Sequence, residues 1–410
     1  MEVKKGYKQT EIGIIPEDWE VVPISQVTSE IFLGLTSKVA YVNNGGIPLI
    51  RATDIANGRL SFENAKNISI EQHKSLTKFR KAKRGDVLVS KSGSLGICAL
   101  VNVDKDFSIY ESIIVLQPKT QINSEFLLWL MRDERTQIRM IGEKVGSSVA
   151  HLNIEMFRRL AIQKPNRIDQ TAIATALSDV DALIQSLEKL IVKKRAIKQG
   201  AMQELLKPKE GWVEKKFKDK GITELITCGI ASTPEYVDES VGVPFLSSTN
   251  VKNGKIRWDN FKYITRDLHT QLYKNNPPLK GDILYSRVGT IGEAAIIDSD
   301  FEFSIYVSLT LIKVGNQINN IFLKHLLNSQ KYKTLANNTV LMGGGVGNLN
   351  VNVVREFPIF FPDMDEQTRI ATILSNMDAE IAALESKLAK YKQIKQGMMQ
   401  TLLTGRIRLV

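Results

Sequence analysis

Cysteine is nearly absent: Cys98 and Cys228 are the only two in 410 residues, far apart and without Cys or His at ligand spacing. That excludes a disulfide framework and a structural zinc site, and it fits a reducing cytoplasm. Histidine is almost as scarce. His73, His151, His269 and His325 are scattered, and none stands at a sequence spacing from Ser, Cys or a carboxylate that specifies a triad or a metal site, so each is read as structural or solvated. Long apolar runs are missing too. No segment approaches the roughly 18 continuous apolar residues of a membrane span, and the opening MEVKKGYKQTEIGIIPEDW has no apolar core of signal-peptide length. The expectation is a soluble, cytoplasmic chain with no membrane partner.

Cofactor loops are likewise not found. GGGVG (Gly343 to Gly347) is followed by no Lys-Ser/Thr, and its counterpart GSSVA (Gly146 to Ala150) lacks most of the glycines; both read as loops. NNPPL (Asn275 to Leu279) approaches the Asn-Pro-Pro-aromatic pattern of amino-group DNA methyltransferases, but Leu279 stands in the aromatic place. No glycine-rich loop opens a parallel βαβ unit before it, so it reads as a turn.

What is present begins with size and charge. A chain of 410 residues holds two or three domains. Its net charge of +11 and pI near 9.3 point to a polyanionic partner, with nucleic acid the first candidate. The 44 acidic residues make the surface mixed and rule out a simple basic tail.

The chain also repeats itself. Residues 170–207 match residues 367–404 without a gap, with about 21 identities in 38 positions. IKQGAMQELL (Ile197 to Leu206) answers IKQGMMQTLL (Ile394 to Leu403). Upstream, GIPLIRATDIANG answers GVPFLSSTNVKNG, GDVLVSKSGSLG answers GDILYSRVGTIG, and FSIYES answers FSIYVS, at an offset of about 196. Two copies make a duplication and not a solenoid.

Each copy has a globular and a helical part. Short β-branched runs such as DVLVS, SIIVLQP and SLTLIKV alternate with turn residues and brief helical segments, which predicts an α+β fold of short, mostly antiparallel strands plus helices. The helical parts carry apolar heptads from Ile173 to Leu205 and from Ile370 to Leu402. A sustained a/d stripe requires a helical partner, and the economical one is the other copy in an antiparallel coiled coil. The heptads account for Met202, Leu205 and their mates. They do not account for Ile197, Lys198, Gln199, Gly200 and Leu206, or for Ile394, Lys395, Gln396, Gly397 and Leu403. A helical Gly costs about 0.5–1 kcal/mol relative to Ala, so Gly200 and Gly397 mark either close helix contact or, with their neighbours, a docking patch for one of two identical partners.

The polar clusters supply the candidate nucleic-acid contacts. Lys81, Lys83 and Arg84 lie in a basic run before a strand; such a run is also what an ordinary solvated face looks like. The turn after that strand holds Ser90, Lys91, Ser92 and Ser94 between glycines, and the second copy keeps Ser286, Arg287 and Thr290, with the run thinned to Lys274 and Lys280. A Ser-Lys/Arg-x-Gly turn suits phosphate contacts, and Lys or Arg also reads guanine. Arg51 and Thr53 face Ser247 and Thr249 in the equivalent loop, so an equal frame carries unequal tips. Ser37, Lys38, Ser232, Thr233 and Lys252 complete the set.

The order of two diverged domains, each followed by a near-identical helix, together with GDVLVSKSGSLG, GDILYSRVGTIG, DEQTRIATILSNMDAEIAAL, IKQGMMQTLLTG and the closing GRIRL, resembles the specificity subunit of a type I restriction-modification system. The resemblance covers essentially the whole chain. It implies target recognition domains at residues 1–166 and 209–363, conserved spacer helices at 167–208 and 364–410, and a double-stranded, bipartite, asymmetric DNA site. It further implies two modification (methyltransferase) subunits docked on the helices, restriction subunits in the full complex, and no catalytic residues here. S-adenosylmethionine, ATP and Mg are then expected on the partners, with no cofactor or metal on this chain. The specificity chain of a type II enzyme is the alternative, and a stand-alone DNA methyltransferase is a more distant one.

Overall fold

The computed structural model describes residues 4–34, 39–142, 152–343 and 346–410. The chain divides into two compact units, residues 1–188 with 387–410, and residues 189–386.

In the first unit, strands Thr28–Leu33, Ile113–Pro118, Val87–Ser90 and Cys98–Leu100 form one sheet in that spatial order, every neighbouring pair antiparallel. The runs VLVS and IIVL are buried throughout, as continuous apolar patterns require of central strands. A second sheet orders Ser108–Ile109, Ile47–Ile50, Lys66–Ile68 and Tyr41–Val42; only its first pair is parallel. The second unit repeats the plan with Thr223–Cys228, Leu309–Val314, Ile283–Ser286 and Ala294–Ile296, and with Lys262–Ile264, Val243–Leu246 and Ser304–Ile305. The fold class is α+β, as expected.

Helix Ser124–Arg132 is apolar nearly all round, with Phe126 to Met131 buried in a row, the pattern of a helix enclosed by core. Asn123 caps it by accepting hydrogen bonds from the Glu125 and Phe126 amides, and Asn319 caps the equivalent Asn320–Leu327 in the same way.

The long helices run Arg167–Leu205 and Met364–Leu402, 39 residues each. Ile173, Leu177, Ile184, Leu187 and Ile191 on one, and Ile370, Leu374, Ile381 and Leu402 on the other, are buried, so the heptad stripe is the packed face. In the first unit Lys392 pairs with Glu188 at 2.8 Å and Lys395 pairs with Asp181. In the second, Lys198 pairs with Asp378 at 2.5 Å and Arg195 with Glu385 at 2.6 Å. Within each unit the partner number falls on one helix as it rises on the other, the register of an antiparallel coiled coil. A buried glutamine anchors each helix start. Gln170 donates to the Pro165 and Gln121 carbonyls and accepts from the Asn123 amide, and Gln367 does the same with Pro362, Gln317 and Asn319.

The helices are not separate spacer domains in packing terms. Residues 387–410 belong with the first globular part, where Leu402 and Leu403 join Ile15, Trp19 and Ile162 in one core. Residues 189–208 belong with the second, where Leu206 packs with Phe217 and Leu349. Each globular core is therefore completed by the far end of a helix.

Candidate nucleic-acid interface

One end of each main sheet gathers loops from distant parts of the sequence. In the first unit Leu33 pairs with Ile114 and Ser90 with Ile113, so the strands that finish at Leu33 and at Ser90 reach the same end of the sheet. The second unit matches, with Cys228 opposite Thr310 and Ser286 opposite Leu309.

The turn is framed from within. Ser90 Oγ donates to the Ser94 carbonyl at 2.5 Å and accepts the Ile97 amide at 2.8 Å, while Gly93 takes φ +76°, a conformation that Gly reaches without strain. Ser286 Oγ donates to the Thr290 carbonyl and accepts the Glu293 amide at 2.9 Å, and Gly289 has φ +77°. Ser90 and Ser286 are fully buried, which corrects their reading as DNA contacts: they shape the turn. Lys91, Ser92 and Ser94 remain half-buried or exposed, and Thr290 is exposed.

A second loop is tied to this turn by a residue that sequence reasoning missed. Ser112 Oγ accepts the Ala52 amide at 3.1 Å and its carbonyl accepts the Lys91 amide at 2.7 Å. Ser308 makes the same two bonds to Ser248 and Arg287, at 2.9 and 3.0 Å. The signal was the shared final Ser of FSIYES and FSIYVS. Asp54 and Asn250 close their loops by accepting the Arg51 and Ser247 amides at 2.8 and 3.0 Å. Thr53 and Thr249 are left exposed at the tips, and Arg51 turns toward Asp54, 3.5 Å away.

Arg287 is the larger correction. It is 6% exposed, and its guanidinium donates to the Leu349 and Val307 carbonyls at 2.8 and 3.3 Å and to Asn348 Oδ1 at 2.9 Å. It pins the segment after the glycine-rich hairpin and presents nothing to a ligand. We expect Arg287→Ala to destabilise the second unit by about 2–4 kcal/mol, because buried carbonyls lose their donors. Lys91→Ala should leave stability intact and weaken DNA binding by about 1–3 kcal/mol if it reads a base, or less and with a shallower salt slope if it touches phosphate. Denaturant melts and salt titrations of binding separate the two; an Arg287→Ala chain of unchanged stability contradicts the assignment.

Other expected contacts are dispersed. Lys83 and Arg84 precede strand Val87–Ser90 and so lie at its opposite end from the turn; Lys274 ends helix Arg266–Asn275, before strand Ile283–Ser286. The run is also partly neutralised, with Lys81 bonded to Asp106 at 2.5 Å and Arg84 to Asp104 at 2.8 Å, and it reads better as a solvated face. Ser232 and Thr233 are exposed just past Ile230, whose backbone bridges Tyr306 beside Ser308. Lys252 is exposed on a short hairpin following Thr249. Ser37, Lys38, His151 and GSSVA fall outside the described residues, as do the two central glycines of GGGVG, whose flanks pair as an antiparallel hairpin. NNPPL connects a helix to a strand.

Three histidines pair with serine among the described residues, His325 through Nε2 at 3.4 Å from Ser375 Oγ. His73 Nδ1 lies 2.9 Å from Ser108 Oγ and His269 Nδ1 lies 3.0 Å from Ser304 Oγ, clamping a helix to a strand in each unit. Both serines are buried, and burial holds the His73 imidazole below its ordinary pKa. His325 is buried with its pKa pushed down to about 2. No group of three or more metal-ligating side chains occurs among the described residues, and no helix of the described residues is long and apolar enough to cross a membrane.

The repeated decapeptides divide by burial. Leu206 and Leu403 are core residues, 5% and 0% exposed, and Lys198 and Lys395 are held in interhelical ion pairs, so none of the four serves as a free docking contact. Gly200 and Gly397 would meet nothing within 4 Å if given a Cβ, which overturns the close-contact reading. Ile197, Gln199, Ile394 and Gln396 are exposed beside them.

The comparisons with known proteins agree along the whole chain. The family model described as "Type I restriction modification DNA specificity domain" matches residues 16–194 and again 209–396. The chain is 28% identical to the "Putative type I restriction enzyme MjaX specificity subunit" of Methanocaldococcus jannaschii over 99% of this chain and 97% of that one. It is 24% identical to the EcoKI specificity subunit of Escherichia coli over 67% of this chain and 62% of that one. The crystal structure of a type I restriction-modification S subunit from M. genitalium has the same fold, with TM-score 0.61 and 14% identity over 98% of both chains. With two matched regions spanning most of its length, and with the same loop frame built twice, this chain belongs to the type I restriction-modification DNA specificity family and is a specificity subunit.

Proposed function

We propose that each globular part reads one half of a bipartite, asymmetric double-stranded DNA site through the loops at its sheet end. The carrying observation is the shared frame set by Ser90 and Ser112, and by Ser286 and Ser308, beneath tips that differ between copies. Identical frames with unequal tips give two readers of one geometry and two sequences. The long helices set the interval between half-sites. The exposed Ile197, Gln199, Gly200 face and its twin at Ile394, Gln396, Gly397 dock two modification subunits. Those subunits carry S-adenosylmethionine and the methyl transfer, and restriction subunits with ATP and Mg complete a cytoplasmic complex; this chain supplies recognition and no catalysis. Methylome sequencing of cells with and without the gene tests it: a bipartite methylated motif disappears with the gene, whereas S-adenosylmethionine turnover by the isolated chain overturns it.

A further inference from the structure

The two units carry equivalent open grooves beside the repeated decapeptides. In the first, Gln396, Met399 and Gln400 face Arg132, Asp133 and Glu134 across about 470 Å³. In the second, Gln199, Met202 and Gln203 face Asn328, Ser329 and Gln330 across about 560 Å³. The helix side of both is the same Gln-x-x-Met-Gln. The rims differ in charge. In the first groove the cations are engaged: Lys392 by Glu188 at 2.8 Å, Lys395 and Arg59 by Asp181, and Arg132 by the Cys98 carbonyl at 3.0 Å. Arg59 and Lys392 are exposed within those pairs, and the exposed carboxylate of Glu134 adds a negative charge beside them. At the position equivalent to Glu134 the second groove has the neutral Gln330, and it adds the exposed Lys207; the exposed Lys331, 4.5 Å over the Phe360 ring, stands where the first unit has Arg135, which is paired with Asp133 at 3.3 Å. Only its third lysine, Lys333, is paired, with Glu293.

Two identical partners therefore meet one shape and two potentials. Resting on the docking of two modification subunits argued above, we propose that both grooves take the same acidic segment of that partner, and that they fill in a fixed order, the second unit first. Exposed lysines beside Met202 attract and cover an anionic, partly apolar segment, while Glu134 repels it. A nucleic-acid role for Lys207 and Lys331 is disfavoured because Arg59, Lys392 and Lys395 of the twin groove stand in ion pairs with carboxylates.

The test titrates the purified modification subunit into the full chain, followed by native mass spectrometry at low and high salt. At low salt a one-partner complex accumulates, the two steps differing in Kd by about tenfold, and the steps converge as salt screens the rims. Hydrogen exchange of the one-partner complex shows protection at Gln199 to Gln203 before Gln396 to Gln400. Lys207→Glu combined with Lys331→Glu removes the one-partner plateau, and Glu134→Lys tightens the second step. Two equal, salt-insensitive steps keep the docking reading and overturn the order. Protection of the first unit's groove first also overturns it. Loss of duplex binding by the double variant with an unchanged partner titration reassigns the lysines to DNA, and a partner that never binds removes docking and order together.

Discussion

Leu403→Ala unfolds the first unit preferentially, although position 403 lies more than two hundred residues from most of that unit's sequence. Leu403 is 0% exposed in the core that holds Trp19 and Trp129, and its carbonyl accepts a 2.7 Å hydrogen bond from Gln163. A fully buried Leu→Ala change costs about 2–5 kcal/mol. The exposed Leu409, a few residues on, is the control, expected within about 0.5 kcal/mol of the parent. The tryptophans report separately, Trp19 and Trp129 from the first unit, Trp212 and Trp258 from the second. Leu206→Ala, in the core with Phe217, should reverse the pattern. Equal shifts of both reporter pairs in both variants contradict the cross-completed cores.

Lengthening both long helices by seven residues changes the DNA interval that the complex selects and leaves the bases of each half-site alone. Seven residues add about 10 Å of helix, equivalent to about three base pairs at 3.4 Å each, and a whole heptad preserves the stripe of Ile173, Leu177, Ile184 and Ile370, Leu374, Ile381. Four residues inserted in one helix misplace that stripe and cost folding. Selection from a randomised-spacer library with the modification subunits present reads the outcome; an unchanged interval in a folded, assembled variant removes the ruler role.

Much of this fold is legible in the sequence. The duplication, the α+β character of the short strands and the antiparallel helix pair follow from period and spacing alone, because hydrophobic pattern reports which faces are buried. Two classes of residue misled. Arg287 shares Ser-basic-x-Gly with Lys91, and pattern cannot tell a side chain folded inward onto the Leu349 carbonyl from one held outward. Leu206 and Leu403 sit off the heptad stripe and so resembled exposed patches, whereas they are core residues of units assembled from distant segments. Ser112 and Ser308 were missed for the opposite reason. Their role is a backbone junction between loops some 20 to 60 positions apart, which no local spacing encodes.

The most direct measurement exchanges residues 209–363 for the equivalent segment of another specificity subunit and sequences the methylome of cells carrying the hybrid with its modification subunits. One half of the methylated motif should change while the other half is retained. A motif altered in both halves, or in neither, contradicts the claim that each globular part reads its own half-site.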